Sequence, residues 1–337
     1  MRISYQELFD CLLRVLIKTG FESERAALCA RLFAETSRDG VYSHGLNRFP
    51  RFMETIENGV VDIRAQPGLV DARGAFERWD GKRGPGNLNA HACMERAIAL
   101  SREHGIGCVA LANTNHWMRG GSYGWQAADA GVIGICWTNT MPNLPPWGAN
   151  EPRLGNNPLV IAVPRSDGGH IVLDMAMSQF SYGTLESYSI RGEQLPVIGG
   201  FDLDGNLTCE ASAIEASRRP LPIGYWKGSG LALMLDMLAA LLSGGQATHE
   251  IKPEILQETG LSQTFLAFDL RSIDKDKASA ELINRIIEFV QGPDSFAAEK
   301  VRYPGERTLA VRKQNLAEGI PVGPRVWEQV QRMSDEL

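Results

Sequence analysis

Two histidines stand in polar segments whose residue types suit proton transfer on a small anionic substrate. The first segment, Ser43-His44-Gly45-Leu46-Asn47-Arg48, falls in the break between two stretches with helical periodicity. An imidazole exchanges protons near neutral pH. In a helical segment His44 and Arg48, four apart, share a face, and a guanidinium there can hold a carboxylate by two parallel hydrogen bonds. A plainer reading has Ser43 capping a helix, with His44 and Arg48 on its surface. The second segment, Asn113-Thr114-Asn115-His116-Trp117-Met118-Arg119-Gly120-Gly121, follows the apolar run Ile106–Ala112. Loops leaving the carboxyl ends of strands collect active-site groups, which makes His116 a second acid or base. The alternative is a polar turn in which Asn113 and Asn115 bond their own backbone.

Other segments suit binding better than proton transfer. Thr138-Asn139-Thr140, Pro145-Pro146-Trp147-Gly148 and Asn156-Asn157-Pro158 fit a pocket wall, although turn chemistry explains most of their composition. Asp174 closes an apolar run, where a carboxylate can accept from a ribose hydroxyl or cap the next helix. Lys227, between Trp226 and Gly228 at a helix start, suits phosphate through its charge and the free backbone N–H groups; a tight turn into a buried helix is the rival reading. The other histidines, His91, His104, His170 and His249, have no companions that form a metal-ligand set, so no metal is expected. The six cysteines are widely spaced, without Cys-x-x-Cys or zinc-like patterns, and read as reduced, mostly buried thiols.

The elements that must carry these groups follow from periodicity. Ser4 and Glu7 form a capping box ahead of the stripe Leu8, Leu12, Val15, Leu16. Helices are expected at Ser23–Arg38, about Pro50–Glu57, Asn89–Glu103, Ser122–Asp129, Ser229–Leu242, about Lys277–Gln291, Thr308–Glu318 and Pro324–Met333. Strands are expected at Ile106–Ala112, Val132–Thr138, Leu159–Val163, His170–Met175 and Thr264–Leu270, with Asp167-Gly168-Gly169 as a hairpin turn. The chain is thus mixed α/β, with helical ends and a sheet-bearing centre. No P-loop motif occurs. Gly84-Pro85-Gly86-Asn87-Leu88-Asn89 lacks the third glycine of the dinucleotide fingerprint and follows a turn-rich stretch, so it reads as a loop entering a helix.

With 337 residues, 44% of them hydrophobic and 22% charged, the chain can bury a full core without cross-links. A net charge of −6 disfavours nucleic acid as a partner. No apolar run reaches the ~18 residues of a membrane span. Residues 1–20 are amphipathic and include acids, unlike a signal or transit peptide; a cytoplasmic location is expected.

Taken together, Ser43-His44-Gly45 with Arg48, His116, Thr138-Asn139-Thr140, Pro146-Trp147-Gly148, Asn157-Pro158, Asp174-Met175-Ala176 and Lys227-Gly228 resemble the malate/L-lactate dehydrogenase-like (type 2 LDH/MDH) oxidoreductases. The resemblance covers nearly the whole chain. It implies the non-Rossmann, sulfolactate dehydrogenase-like fold, with a helical substrate and dimerisation part (1–75 plus 295–337) and a sheet-bearing cofactor part (76–294). It further implies a homodimer that reduces a sugar-derived 2-keto acid with NADH. His44 is then the proton donor, with Ser43, Arg48 and His116 beside it, and relatives in the family give the base role to the histidine matching His116. Cofactor contacts are implied at His170, Ile171, Val172, Leu173, Asp174, Met175 and Ala176, at Trp226 and Lys227, and at Gly305, Glu306 and Arg307. Glu306 stands where the resemblance expects a histidine, and Arg307 suits a ribose phosphate, which keeps NADPH in view. Three other outcomes stay open: a malate/lactate-type 2-hydroxy acid dehydrogenase, a reductase of cyclic imino acids, and a non-catalytic protein that keeps the fold to bind a ligand.

Overall fold

The computed structural model describes residues 1–274, 278–292 and 301–336. In chain order the elements are β1 (Arg2–Ile3), α1 (Tyr5–Lys18), α2 (Ser23–Arg38), α3 (Phe49–Glu57), β2 (Gly68–Arg73), β3 (Phe76–Asp80), α4 (Gly86–His104), β4 (Ile106–Thr114), α5 (Gly121–Asp129), β5 (Val132–Thr138), β6 (Leu159–Val163) and β7 (Ile171–Met175). They continue with α6 (Tyr182–Arg191), β8 (Gly200–Phe201), β9 (Leu207–Thr208), α7 (Ala211–Ser217), α8 (Trp226–Ser243), β10 (Leu261–Asp269), α9 (Leu270–Ile273), α10 (Ser279–Gln291), α11 (Glu306–Glu318), β11 (Ile320–Pro321) and α12 (Pro324–Glu336).

The central sheet has seven strands in the order β2-β3-β4-β10-β5-β6-β7. Only β3 and β4 run parallel, joined by the crossover helix α4; every other neighbour pair is antiparallel. A doubly wound dinucleotide fold would be parallel throughout its core, so the non-Rossmann expectation agrees with the observed sheet. The pleat sends alternate side chains to opposite faces. Val109, Leu111, Cys136, Val160 and Phe265 pack on α4 and α5, whereas Ile135, Trp137 and Leu266 pack on α8. A separate apolar cluster joins α1, α2, α3 and α12 and also takes in Leu88 and Met118. That contact ties the helical layer to the loop carrying His116.

Several expectations need correction. Residues 68–80 form a hairpin, β2–β3, that belongs to the central sheet although residues 1–75 were expected to be helical. Its pattern is weak because β2 is a sheet edge with no fully buried residue. The helix expected after Ser178 is α6, which buries only Leu185; its cap is Ser181, whose hydroxyl accepts the Thr184 N–H at 3.2 Å, and not Asp174. The helix α8 is longer than expected and not buried all round: Leu233, Met234, Met237 and Leu241 lie exposed opposite the face that meets the sheet. The expected boundary at 294/295, and Lys277 as a helix start, lie outside the described residues.

Candidate active site

The chain leaves α2 through Asp39 and enters two short 3-10 turns, Tyr42–His44 and Leu46–Arg48, before α3. Ser37 fixes this break: its hydroxyl accepts from the Leu46 N–H at 2.8 Å. From α11, the Asn315 side chain donates to the Arg38 carbonyl at 2.9 Å and to the Tyr42 hydroxyl at 3.2 Å. The His44 turn is therefore held from both sides of the helical layer.

His116 arrives from β4, 72 positions later in the chain. Its loop is anchored by Asn115, whose amide donates to the carbonyls of Arg83 (2.7 Å) and Gly84 (3.0 Å). Gly86, in the first turn of α4, has its Cα against the carbonyls of Asn115 and His116, where any Cβ would overlap both oxygens. The Gly84-Pro85-Gly86 segment is thus a seat for the histidine loop. Met118 sits at φ 65, a conformation rarely adopted by a side-chain-bearing residue. There its N–H donates to His116 Nδ1 at 3.0 Å.

The two imidazoles meet face to face, with ring centroids 5.9 Å apart and 20° between planes. Their surroundings differ. His116 Nδ1 already accepts a backbone N–H, so the neutral ring carries its proton on Nε2. His44 Nδ1 lies 2.9 Å from the Ser43 hydroxyl, a group that can either donate or accept. Burial and the charges of Arg48, Arg119 and Arg51 lower His44 to about 4. Burial, with Arg48, His44 and Arg51, pushes His116 well below its ordinary value. Burial and Arg51 bring Arg48 down to about 10, which leaves it charged at neutral pH. Among the described residues Arg48 has no carboxylate within 4.0 Å. A small cavity opens beside these groups, lined by Arg48, Arg51, Asn115, His116 and Glu258.

The stretch expected to hold a cofactor lies alongside. Strand β7 is the free edge of the sheet, and its Val172 N–H donates to the Pro304 carbonyl at 3.0 Å. Gly305, at φ 96, packs against the His170 carbonyl, so the 170–176 and 305–307 segments are neighbours. Beyond the strand, the Ile223 N–H donates to the Met177 carbonyl at 2.8 Å, which brings up the start of α8 with Trp226 and Lys227. Asp174 accepts the Gly121 N–H at 2.8 Å on one oxygen, and Lys227 has no ion pair among the described residues. An acceptor for a ribose hydroxyl and a cation at a helix start for phosphate fit a dinucleotide. Not every expected contact is available. The His170 ring is turned inward: Nε2 donates to Asp129 at 3.0 Å, Nδ1 accepts the Arg165 N–H at 2.9 Å, and Trp125 covers it. The Glu306 carboxylate accepts from Gln291 and from the Tyr303 N–H. Those two residues can face a ligand through backbone only, whereas Arg307 is exposed.

Residues far apart in the chain complete the site. Buried Asp39 takes hydrogen bonds at 2.7 Å from Arg119 and Arg312 and at 2.9 Å from Arg38. Burial alone would raise its carboxyl, but the three guanidiniums outweigh that and hold it near 2. Neither this cluster nor Glu258 has a local sequence signature: Asp39 gathers arginines at 38, 119 and 312, and Glu258 meets Met141, Arg48 and Arg51.

Residues 3–331 match the malate/L-lactate dehydrogenase family. A 2,3-diketo-L-gulonate reductase of Escherichia coli is 48% identical over 335 residues, covering 99% of this chain and all of that one. Among solved structures, the malate dehydrogenase of Pyrococcus horikoshii superposes with a TM-score of 0.90 at 29% identity, across 100% of this chain and 95% of that chain. The Δ1-piperideine-2-carboxylate reductase of Pseudomonas syringae pvar. tomato superposes at 0.85 with 30% identity, across 99% of each chain. The matched family spans both histidine segments and the cofactor stretch, and the chain belongs to the malate/L-lactate dehydrogenase family of oxidoreductases.

Proposed function

We propose that this protein is an NAD(H)-dependent reductase of a sugar-derived 2-keto acid, converting 2,3-diketo-L-gulonate to 3-dehydro-L-gulonate at the C2 carbonyl, with His44 as proton donor. Full-length identity of 48% to a protein of that name supports the substrate. The observation that carries the proton assignment is the different fate of the two Nδ1 atoms. Protonating His116 Nδ1 would break its bond from the Met118 N–H. Protonating His44 requires only that the Ser43 hydroxyl turn from donor to acceptor.

The chain's own groups then act as follows. Arg48 pairs with the substrate carboxylate, for which it has no internal rival within 4.0 Å. A bound nicotinamide supplies hydride to C2. Negative charge grows on the carbonyl oxygen, and His116 donates its fixed Nε2–H to that oxygen. His44, protonated at Nε2, transfers its proton there and leaves an alcohol and a neutral imidazole. Asp174 and Lys227 are proposed to hold the ribose and phosphate of the cofactor, with Ile171, Val172, Leu173, Met175, Ala176 and Trp226 around them. Exposed Arg307 is the residue that would favour NADPH over NADH.

A cytoplasmic homodimer completes the proposal, and the exposed apolar face of α8 supports self-association. The deciding experiment follows NADH and NADPH absorbance with 2,3-diketo-L-gulonate, pyruvate and Δ1-pyrroline-2-carboxylate. Preferential turnover of diketogulonate is expected. Turnover of the cyclic imine alone would move the protein to the imino acid reductases, and no turnover of any would revive a binding role.

A further inference from the structure

One acid in the substrate cavity has no part in the reaction proposed above. Glu258 follows a 3-10 turn, Ile255–Gln257, that packs against α3, and it lines the same cavity as Arg51 of that helix and Arg48 just before it. It is only 8% exposed. Its Oε1 accepts the Met141 N–H at 3.2 Å, and Oε2 takes no hydrogen bond among the described residues. Burial pushes this carboxyl up, while Arg48, the Met141 N–H and Arg51 pull it back.

Opposite charges line one cavity, yet among the described residues neither arginine comes within 4.0 Å of the carboxylate. Polar groups that face each other across such a distance are bridged by a group that serves both sides, an ordered water or a ligand hydroxyl that displaces it. The bridging group must accept from a guanidinium and donate to a carboxylate. A hydroxyl does both, whereas a carboxylate or keto oxygen only accepts. A second carboxylate would also meet the like charge of Glu258. With Arg48 left for the reacting carboxyl group, Arg51 and Glu258 remain for whatever extends beyond the keto carbon.

We propose that Glu258, with Arg51, receives a hydroxyl of the substrate's tail and selects hydroxylated 2-keto acids over 2-keto dicarboxylic acids. This specificity role rests on the keto-acid reading above, and its test can fail independently of that reading.

The experiment compares wild type with Glu258→Gln on 2,3-diketo-L-gulonate, pyruvate and oxaloacetate. Glutamine keeps an acceptor for Met141 but turns the facing group into a donor without charge. Loss of a hydrogen bond to a charged group predicts a drop of about 10-fold or more in kcat/KM for diketogulonate, carried by KM. Oxaloacetate should gain about 10-fold, and tail-less pyruvate should stay within about twofold. An equal loss on all three would make Glu258 a structural acid and overturn the proposal, as would an unchanged oxaloacetate-to-pyruvate ratio. If wild type ignores diketogulonate, the substrate reading fails; Glu258 is then judged by the oxaloacetate-to-pyruvate ratio, which must still rise. Should Glu258→Gln fail to fold, Arg51→Lys, which keeps the positive charge beside His44 and loses the guanidinium fork, must lower the diketogulonate-to-pyruvate ratio of kcat/KM several-fold; an unchanged ratio would overturn the proposal.

Discussion

Placing a carboxylate beside Arg48 is predicted to draw a proton onto His44. In the free protein burial and the charges of Arg48, Arg119 and Arg51 lower this imidazole to about 4. For an anion paired with Arg48, a separation of ~6 Å from the ring at an effective dielectric of ~20 would favour the imidazolium by about 3 kcal/mol. That is roughly a hundredfold in proton affinity, enough to bring His44 to about 6. At about pH 5.5 the protonated fraction then rises from roughly 3% to roughly 75%, an uptake of about 0.7 proton per site. Isothermal titration calorimetry with oxalate, an unreactive anion, reads this directly when run in acetate and in a buffer of larger ionisation enthalpy. The uptake should vanish in His44→Gln. Equal enthalpies in the two buffers would refute the coupling. Uptake that persists in His44→Gln and disappears in His116→Gln would transfer the role to His116.

Both histidines are neutral in the fold and titrate near 6.5 when unfolded, so their stability is present above 6.5 and is lost as pH falls toward 4. Urea unfolding at pH 6.5 and 5 should therefore show a loss of up to about 1.4 kcal/mol per pH unit for each ring; a His44→Gln/His116→Gln double variant with the same slope would contradict it. Asp39→Asn leaves three guanidiniums without their shared carboxylate and should cost about 3–5 kcal/mol in urea unfolding, and a loss below about 1 kcal/mol would show that the cluster is already solvated. Gly86→Ala would push the Asn115–His116 carbonyls off their seat; a shift of ~1 Å predicts a fall of about 10² in turnover with unchanged far-UV circular dichroism, and near-normal turnover would mean that the loop position does not matter.

Much of the fold is legible because its apolar patterns are strong. The runs that became β4, β5, β6 and β10 pack on both faces, which makes them continuous and easy to read. The hairpin β2–β3 and the helix α6 bury too little to leave a pattern. The helix α8 misleads in the other direction: it is apolar all round, yet only one face is buried. At the site, His44, Arg48 and His116 are visible through residue type and loop position. Their stacking is not, since it depends on α4 placing Gly86 under a loop 30 residues further along. The inward turn of His170 and the commitment of Glu306 depend on partners, Asp129 and Gln291, outside their own motifs. Asp39 and Glu258 become functional candidates only when guanidiniums from distant segments surround them.

The central claim is that two stacked histidines divide the work, His44 moving the proton and His116 holding the oxygen. The most direct measurement is steady-state reduction of 2,3-diketo-L-gulonate by wild type, His44→Ala and His116→Ala, with NADH loss followed at saturating substrate. His44→Ala should lose about 10²–10⁴-fold in kcat, the usual size of general-acid catalysis, and His116→Ala should lose less. Near-full activity in His44→Ala together with abolished activity in His116→Ala would contradict the account.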